Sequence, residues 1–251
     1  MLLDQRRQDI LNHIESIGYV SLQQLSDRAG VSESTVRRDL EFLEKVGQIR
    51  RTRGGAAYVG ESLTTLDERS VQSLPQKQAV GRAAAALVQP GESILLDGGT
   101  TTLEVARNLV GKSLQVVTNS LPVVNLLANH SQIELVVIGG YVYPKTGVAL
   151  GPMATAALAN IHVRRLFMSV GGITERGLYN SNSLLAETEQ AMLSAAEEVI
   201  VVTDSSKFGH GALAHLCGMD RVHRVVADSE ISNEWKDFLS NAGIALTIAE
   251  V

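Results

Sequence analysis

The chain has 251 residues, 45% hydrophobic and 20% charged, with a net charge of -5; this balance excludes a disordered or fibrous protein and leaves room for two domains. Its single cysteine, Cys217, excludes an intrachain disulfide and a cysteine-built zinc site, and reads as a buried, inert thiol. Met1 is followed closely by Asp4, Arg6, Arg7 and Asp9, and no apolar run reaches the roughly 18 residues of a membrane span, so a cytoplasmic protein without a membrane partner is expected. Residues 1–58 hold nine Lys/Arg against eight Asp/Glu, and the remainder 13 against 19. With so small a net excess, any nucleic-acid reading must rest on where the arginines sit.

Ile10, Leu11, Ile14 and Ile17 recur at helical period after Asp4, and Gly18 offers a stop, so a first helix is predicted over 4–17. Ser21 stands three residues before Gln24, the spacing of a capping box, and opens a short second helix that closes at Gly30. Ser32 can cap a third helix, whose Val36, Leu40 and Leu43 form a buried stripe while Ser34, Arg37, Arg38 and Glu41 face away. After Gly47, "QIRRTRGGAAYV" reads as two short strands turning at Gly54-Gly55.

Three short helices and a basic hairpin predict a winged helix-turn-helix over 1–58, with its third helix sized for a major groove of double-stranded DNA. Ser32, Ser34 and Thr35 would bind phosphate beside the helix N-terminal amides, Arg37 and Arg38 would reach base edges or phosphates, and Arg51 and Arg53 would grip the flanking backbone or minor groove. In the competing reading the arginines pair with Asp39, Glu41 and Glu44 on a solvated helix face. The capped helix pair and the basic hairpin would then be coincidences. The run "SESTVRRDLEFLEKVGQIRRTRGGA" resembles the helix-turn-helix signature of DeoR-type bacterial transcriptional regulators.

Residues 59–76 show no clear period and reach Pro75, which reads as a linker. Over 77–251, the apolar runs "SILLD", "QVVTN", "ELVVIGG", "LFMSVGG", "VIVVTD", "RVVAD" and "ALTIAEV" read as buried parallel strands. Segments such as "TTLEVARNLV", "LPVVNLLANH" and "LLAETEQAMLSAAEE" have helical period between them, so the larger domain is α/β. Six strands end in Asp97-Gly98-Gly99, Thr118-Asn119, Gly139-Gly140, Gly171-Gly172, Asp204 and Asp228. Ligands of open parallel sheets bind outside the strands' carboxyl ends, so these residues mark the rim of one crevice.

The sharpest local signal is "DGGTTTLEVA": two glycines, three threonine hydroxyls and a helix start that suit a phosphate. It lacks the lysine of a Walker loop and the spacing of a dinucleotide fingerprint. The plainer alternative is a strand-to-helix turn whose threonines only cap the helix. Lys207 follows a strand end and can set a point charge on the same phosphate, although alone it reads as a solvated lysine. Asn119, Lys145 and Glu187 are candidates for sugar-hydroxyl contacts; singly they read as a cap, a loop residue and a solvated helix residue. The six histidines show no metal spacing, and neither a metal nor a cofactor is expected.

The DeoR-type resemblance returns at "ILLDGGTTTLEVA", "VVTNSLPVVN", "VIGG" and "VVTDSSKFG", and so covers nearly the whole chain. It implies a C-terminal domain related in fold to ribose-5-phosphate isomerase that binds a phosphorylated sugar effector and thereby relieves repression. Carried over by position, it implies a phosphate loop of Asp97, Gly99, Thr100, Thr101 and Thr102, a strand-end group of Thr118 and Asn119, and the lysine Lys207. Where many relatives have D-G-I-D after the fourth strand, this chain has Gly171-Gly172-Ile173-Thr174, and Lys145 lies where relatives often have arginine. The missing acids weaken a catalytic reading and point to altered sugar recognition. The expected function is a repressor of a carbohydrate-utilisation operon, a dimer or tetramer on its operator. The alternative is a sugar-phosphate isomerase-like enzyme with an appended DNA-binding module.

Overall fold

The computed structural model describes residues 3–17, 19–45, 49–52, 54–58 and 66–251. At the N-terminus, α1 (Leu3–Ile17), α2 (Leu22–Ala29) and α3 (Glu33–Lys45) pack around Ile10, Leu11, Ile14, Leu25, Val36, Leu40 and Leu43, all buried. A small antiparallel sheet in the order β1 (Tyr19–Ser21), β3 (Gly55–Tyr58), β2 (Ile49–Arg51) closes that core through Val20, Ile49 and Ala56. The capping box of α2 is formed: Ser21 Oγ accepts from Gln24 N, and the Gln24 side chain accepts from Ser21 N at 3.0 Å. Gly30, at a left-handed φ of 64°, ends α2 and turns the chain into α3, a conformation that costs glycine little. This is the winged helix-turn-helix that the helical stripes specify.

The larger unit is a seven-stranded parallel sheet in the order β15 (Ala245–Ala249), β14 (Arg224–Asp228), β12 (Ala196–Thr203), β9 (Val163–Met168), β4 (Ser93–Leu96), β5 (Leu114–Thr118), β6 (Ile133–Val137). Successive side chains alternate between its faces, which splits the core in two. Ile94, Leu96, Val116, Phe167, Ile200 and Val202 pack with residues of α5 (Leu74–Ala86), α6 (Thr100–Arg107) and α7 (Leu121–Leu127). Leu95, Val117, Leu166, Met168, Val199 and Val201 pack with residues of α8 (Pro152–Leu158), α9 (Ser183–Ser194) and α10 (Asn233–Asn241). Both faces are covered, as continuous apolar strands require.

Strand order reverses at β4. From there β5 and β6 run one way, while β9, β12, β14 and β15 run the other. The switch point therefore lies between β4 and β9, where a crevice opens at the carboxyl ends of the strands.

The structure departs from the sequence reading at several places. Within the expected linker, α4 (Leu66–Val71) and the first turn of α5 are helical, and Leu66 N donates to Lys145 O at 2.9 Å. Short segments hide helical period, and docking on a neighbour decides them. The helix read through Glu198 ends at Ser194, because Ala196 pairs with Val163 as β12 begins. Two small sheets had no clear sequence signal: the hairpin of β7 (Tyr141–Tyr143) and β8 (Val148–Leu150), and the order β10 (Gly172–Thr174), β11 (Gly177–Asn180), β13 (Ala214–Cys217). Cys217 is buried, and burial pushes its thiol up to about 11, as an inert structural cysteine should be.

Candidate functional site

Helix α3 offers one charged face to solvent. Ser34, Arg37, Arg38 and Glu41 are exposed there, opposite the buried Val36, Leu40 and Leu43. At its N-terminus the Ser32 hydroxyl lies 2.8 Å from Ser34 Oγ and 3.1 Å from Thr35 Oγ1, and it accepts from Thr35 N at 3.4 Å. Among the described residues Arg37 makes one ion pair, an exposed one with Glu33 at 3.4 Å, and Arg38 makes none. These groups share one solvent-facing side of α3.

Arg51 is paired more fully. Its Nε donates to Glu44 at 2.7 Å, its Nη1 to Glu41 at 2.9 Å, and its backbone N–H to Glu44 at 2.9 Å, so it braces β2 against α3. The expected DNA contact of Arg51 would have to draw its exposed guanidinium away from these two α3 carboxylates. Arg53 lies outside the described residues. Asp39, 1% exposed, accepts from Arg6 Nε at 2.7 Å and Arg7 Nε at 3.1 Å and so clamps α1 to α3. Arg7 also lies 3.9 Å above the Phe42 ring.

In the larger unit the crevice has two adjoining chambers that share Arg69, Ser169 and Val170. One is bounded by Lys77, Thr100, Thr101, Asp204 and Lys207; the other by Tyr143, Lys145, Thr146, Asn180 and Glu189. Their volumes are about 20 and 30 Å³, room for little more than a water each, so a larger ligand must part the walls. Three cationic side chains reach the first chamber, from α4 (Arg69), α5 (Lys77) and the short turn after β12 (Lys207). Lys77 is buried, and its Nζ donates to Arg69 O at 2.7 Å, tying α4 to α5.

Gly99 makes the turn from β4 into α6 at a φ of 151°, where a Cβ would collide with Ser169 Oγ. Only glycine lets strand β9's end come so close to the start of α6. Thr100 is half-buried and Thr101 buried, and both border the cationic chamber at the positive end of α6. Thr102 is fully buried and donates to Gly99 O at 3.0 Å, so the third threonine closes the turn and does not line the crevice.

The other expected residues divide. Lys145 and Lys207 line the crevice. Thr118 instead donates to Leu96 O at 2.7 Å and Asn119 to Ala149 O at 3.0 Å, both fully buried, so they stitch β5 to β4 and β8. Glu187 points to solvent. Glu189, two residues later, is the acid that reaches the crevice, and sequence reading missed it along with Arg69, Lys77, Ser169 and Asn180. A signal for Glu189 existed: it falls on the α9 stripe of Leu185, Met192 and Leu193, where an acid is out of place.

Asp97 sits behind Gly98, 1% exposed, and accepts from the backbone amides of Gly98 and Ser169. Burial raises its carboxyl to about 7 against the pull of those amides and of Arg69. Glu189, 2% exposed, is raised well above the ordinary carboxylate value by burial and then by Asp97, although Asn180 Nδ2 donates to it at 2.7 Å. The chain lacks the acids that many relatives carry after the fourth strand, and α9 brings a different one, Glu189, to the crevice.

Comparisons with known proteins bear on both units. The family described as the DeoR-like helix-turn-helix domain matches residues 6–62, and the one described as the DeoR C terminal sensor domain matches residues 72–229. A protein of Escherichia coli O157:H7 named for transcriptional repression of the aga operon is 35% identical over 97% of this chain and 93% of its own. The uncharacterised regulator YulB of Bacillus subtilis is 33% identical over 91% and 90%, and the regulator UlaR of Escherichia coli K12 is 29% identical over 96% and 97%. Among solved structures, ribose 5-phosphate isomerase A of Methanocaldococcus jannaschii aligns over 53% of both chains at 21% identity, with a TM-score of 0.40. Among the described residues no helix is long and apolar enough to cross a membrane.

Proposed function

The chain belongs to the DeoR family of DNA-binding transcriptional regulators, and from that premise we propose that it represses a carbohydrate-utilisation operon until a phosphorylated sugar enters the crevice of its sensor domain. The observation that carries this reading is the cationic chamber: Lys77, Lys207 and Arg69 converge on Thr100 and Thr101 at the N-terminus of α6. A phosphate dianion there meets point charges, hydroxyls and free helix amides together. The sugar would extend toward Lys145, Asn180 and Glu189.

The DNA-reading unit ends near residue 58 and the sensor begins near residue 77, so 59–76 is the coupling segment. Its helix α4 supplies Arg69 to both chambers, and the chambers are too small for a sugar phosphate as they stand. Ligand entry must therefore shift α4 or the loop it bonds at Lys145, and α4 lies on the chain path to the wing. The effect on DNA affinity equals the ligand's differential affinity for the two arrangements, and operator DNA weakens ligand binding by the same factor. Two copies would read two half-sites, since one helix-turn-helix contacts few bases. The isomerase-like alternative is not favoured, because the relatives are named as regulators.

The test is fluorescence anisotropy on an operator fragment titrated with pentose and hexose phosphates. Release by at least one of them is expected, and Lys207→Met should bind DNA normally while responding about tenfold more weakly or not at all. Unchanged DNA affinity across the whole panel would remove the effector half of the proposal.

A further inference from the structure

The two chambers of the crevice meet along a wall that Arg69, Ser169 and Val170 share. Ser169 and Val170 follow directly on β9 and are fixed by the sheet: the Ser169 hydroxyl donates to Gly98 O at 3.2 Å, and Val170 is buried in the core. Arg69 reaches the wall from outside the sheet. It stands on α4, is half-buried, and favours the charge of Asp97 behind Gly98. Its long flexible side chain is the part of the wall that can give way.

Helix α4 has six residues, too few to be stable alone, so its placement depends on what holds it. Leu66 N donates to Lys145 O at 2.9 Å, Lys77 Nζ donates to Arg69 O at 2.7 Å, and the Arg69 side chain is built into the shared wall. A sugar phosphate with its phosphate at Thr100 and Thr101 and its sugar toward Asn180 crosses the place where Arg69 divides the chambers. We propose that Arg69 is the trigger of the regulator: it partitions the crevice while the effector is absent, and a sugar phosphate spanning both chambers displaces its guanidinium and re-seats α4. The dianion draws the displaced guanidinium toward itself, and the sugar presses on the hairpin at Lys145. Helix α4 thus loses two holds at once, and the movement enters the segment that leads back to the wing. This role rests on the reading of the crevice as a sugar-phosphate site.

Full-length wild type, Arg69→Ala and Lys207→Met are titrated with ribose 5-phosphate, glucose 6-phosphate, fructose 6-phosphate and galactose 6-phosphate. Calorimetry reports binding without DNA, and anisotropy reports operator affinity at ligand saturation. In the wild type at least one sugar should bind and lower DNA affinity about tenfold or more. Arg69→Ala, which keeps the carbonyl that Lys77 holds, should still bind that sugar while its DNA affinity changes by less than about twofold. Lys207→Met should instead lose affinity for the sugar itself, by about tenfold. In the wild type, the amides of Leu66–Val71 should exchange hydrogen about fivefold or more faster with the sugar bound. Release of DNA from Arg69→Ala by the wild-type factor, loss of sugar binding to the extent seen in Lys207→Met, or unchanged or slower exchange in α4 overturns the trigger and leaves the sugar-phosphate reading intact. Absence of binding by all four sugars overturns both. The exchange measurement decides the matter even if Arg69→Ala melts early, which a parallel thermal scan reports.

Discussion

Helices α3 and α9 each place an acid on their buried stripe, and the two acids have opposite surroundings. Asp39 in α3 is met by two guanidiniums, Arg6 and Arg7, at 2.7 and 3.1 Å. Among the described residues Glu189 in α9 has one amide donor and an oxygen with no hydrogen-bond partner, and Asp97 further disfavours its charge. A buried acid whose charge is met by cations holds elements together; one without them keeps its proton at a cost to the fold. The same exception to hydrophobic patterning thus marks a clamp in one domain and a wall of the crevice in the other. Among the cations the contrast repeats, since Arg51 is committed to Glu41 and Glu44 while Arg38 makes no ion pair with a described residue.

Removing the clamp is the strongest way to test the distinction. Asp39→Ala should destabilise the N-terminal unit by about 3 kcal/mol, because two partly buried arginines lose their counter-charge. Differential scanning calorimetry should show that transition moving down while the sensor's stays put. A common shift of both units would mean that α1 and α3 do not form a unit of their own.

Arg38→Ala should weaken operator binding by about 1 to 3 kcal/mol without lowering the melting temperature, as measured by anisotropy and thermal scans on one preparation. Loss of stability in place of affinity would show Arg38 to be a structural residue like Arg51.

Neutralising the unmet acid should act in the reverse direction. The carboxyls of Asp97 and Glu189 are raised in the fold, so the folded sensor holds protons that the unfolded chain has released. Stability is then fully present below the unfolded carboxylate value near pH 4 and is lost as pH rises toward about 7. Glu189→Gln should accordingly stabilise the ligand-free protein at neutral pH and leave its stability unchanged near pH 4. Denaturant melts at the two pH values check this. A variant less stable at neutral pH would class Glu189 with Asp39.

Much of the molecule was legible in the residues. The stripe of Val36, Leu40 and Leu43, the capping box at Ser21 and the left-handed Gly30 are local features, settled within a few residues of chain by propensity, periodicity and capping. The seven apolar runs likewise became the seven strands of the parallel sheet, and "DGGTTTLEVA" became the turn that brings Thr100 and Thr101 to the crevice. Even the switch to the acid at position 189 was written into the α9 stripe, although only the pattern of burial reveals it.

Tertiary structure decided the rest. Thr102, Thr118 and Asn119 donate to backbone carbonyls of their own turn or of neighbouring strands, contacts that no local pattern announces. Arg69 and Lys77 came to face Lys207 only because α4 and α5 pack beside α6 and β12, more than a hundred residues away in sequence from the lysine. Periodicity reports which side of an element is buried and says nothing of what lies against it. Which charges are answered within the protein, and which face the crevice, is settled by packing between distant segments.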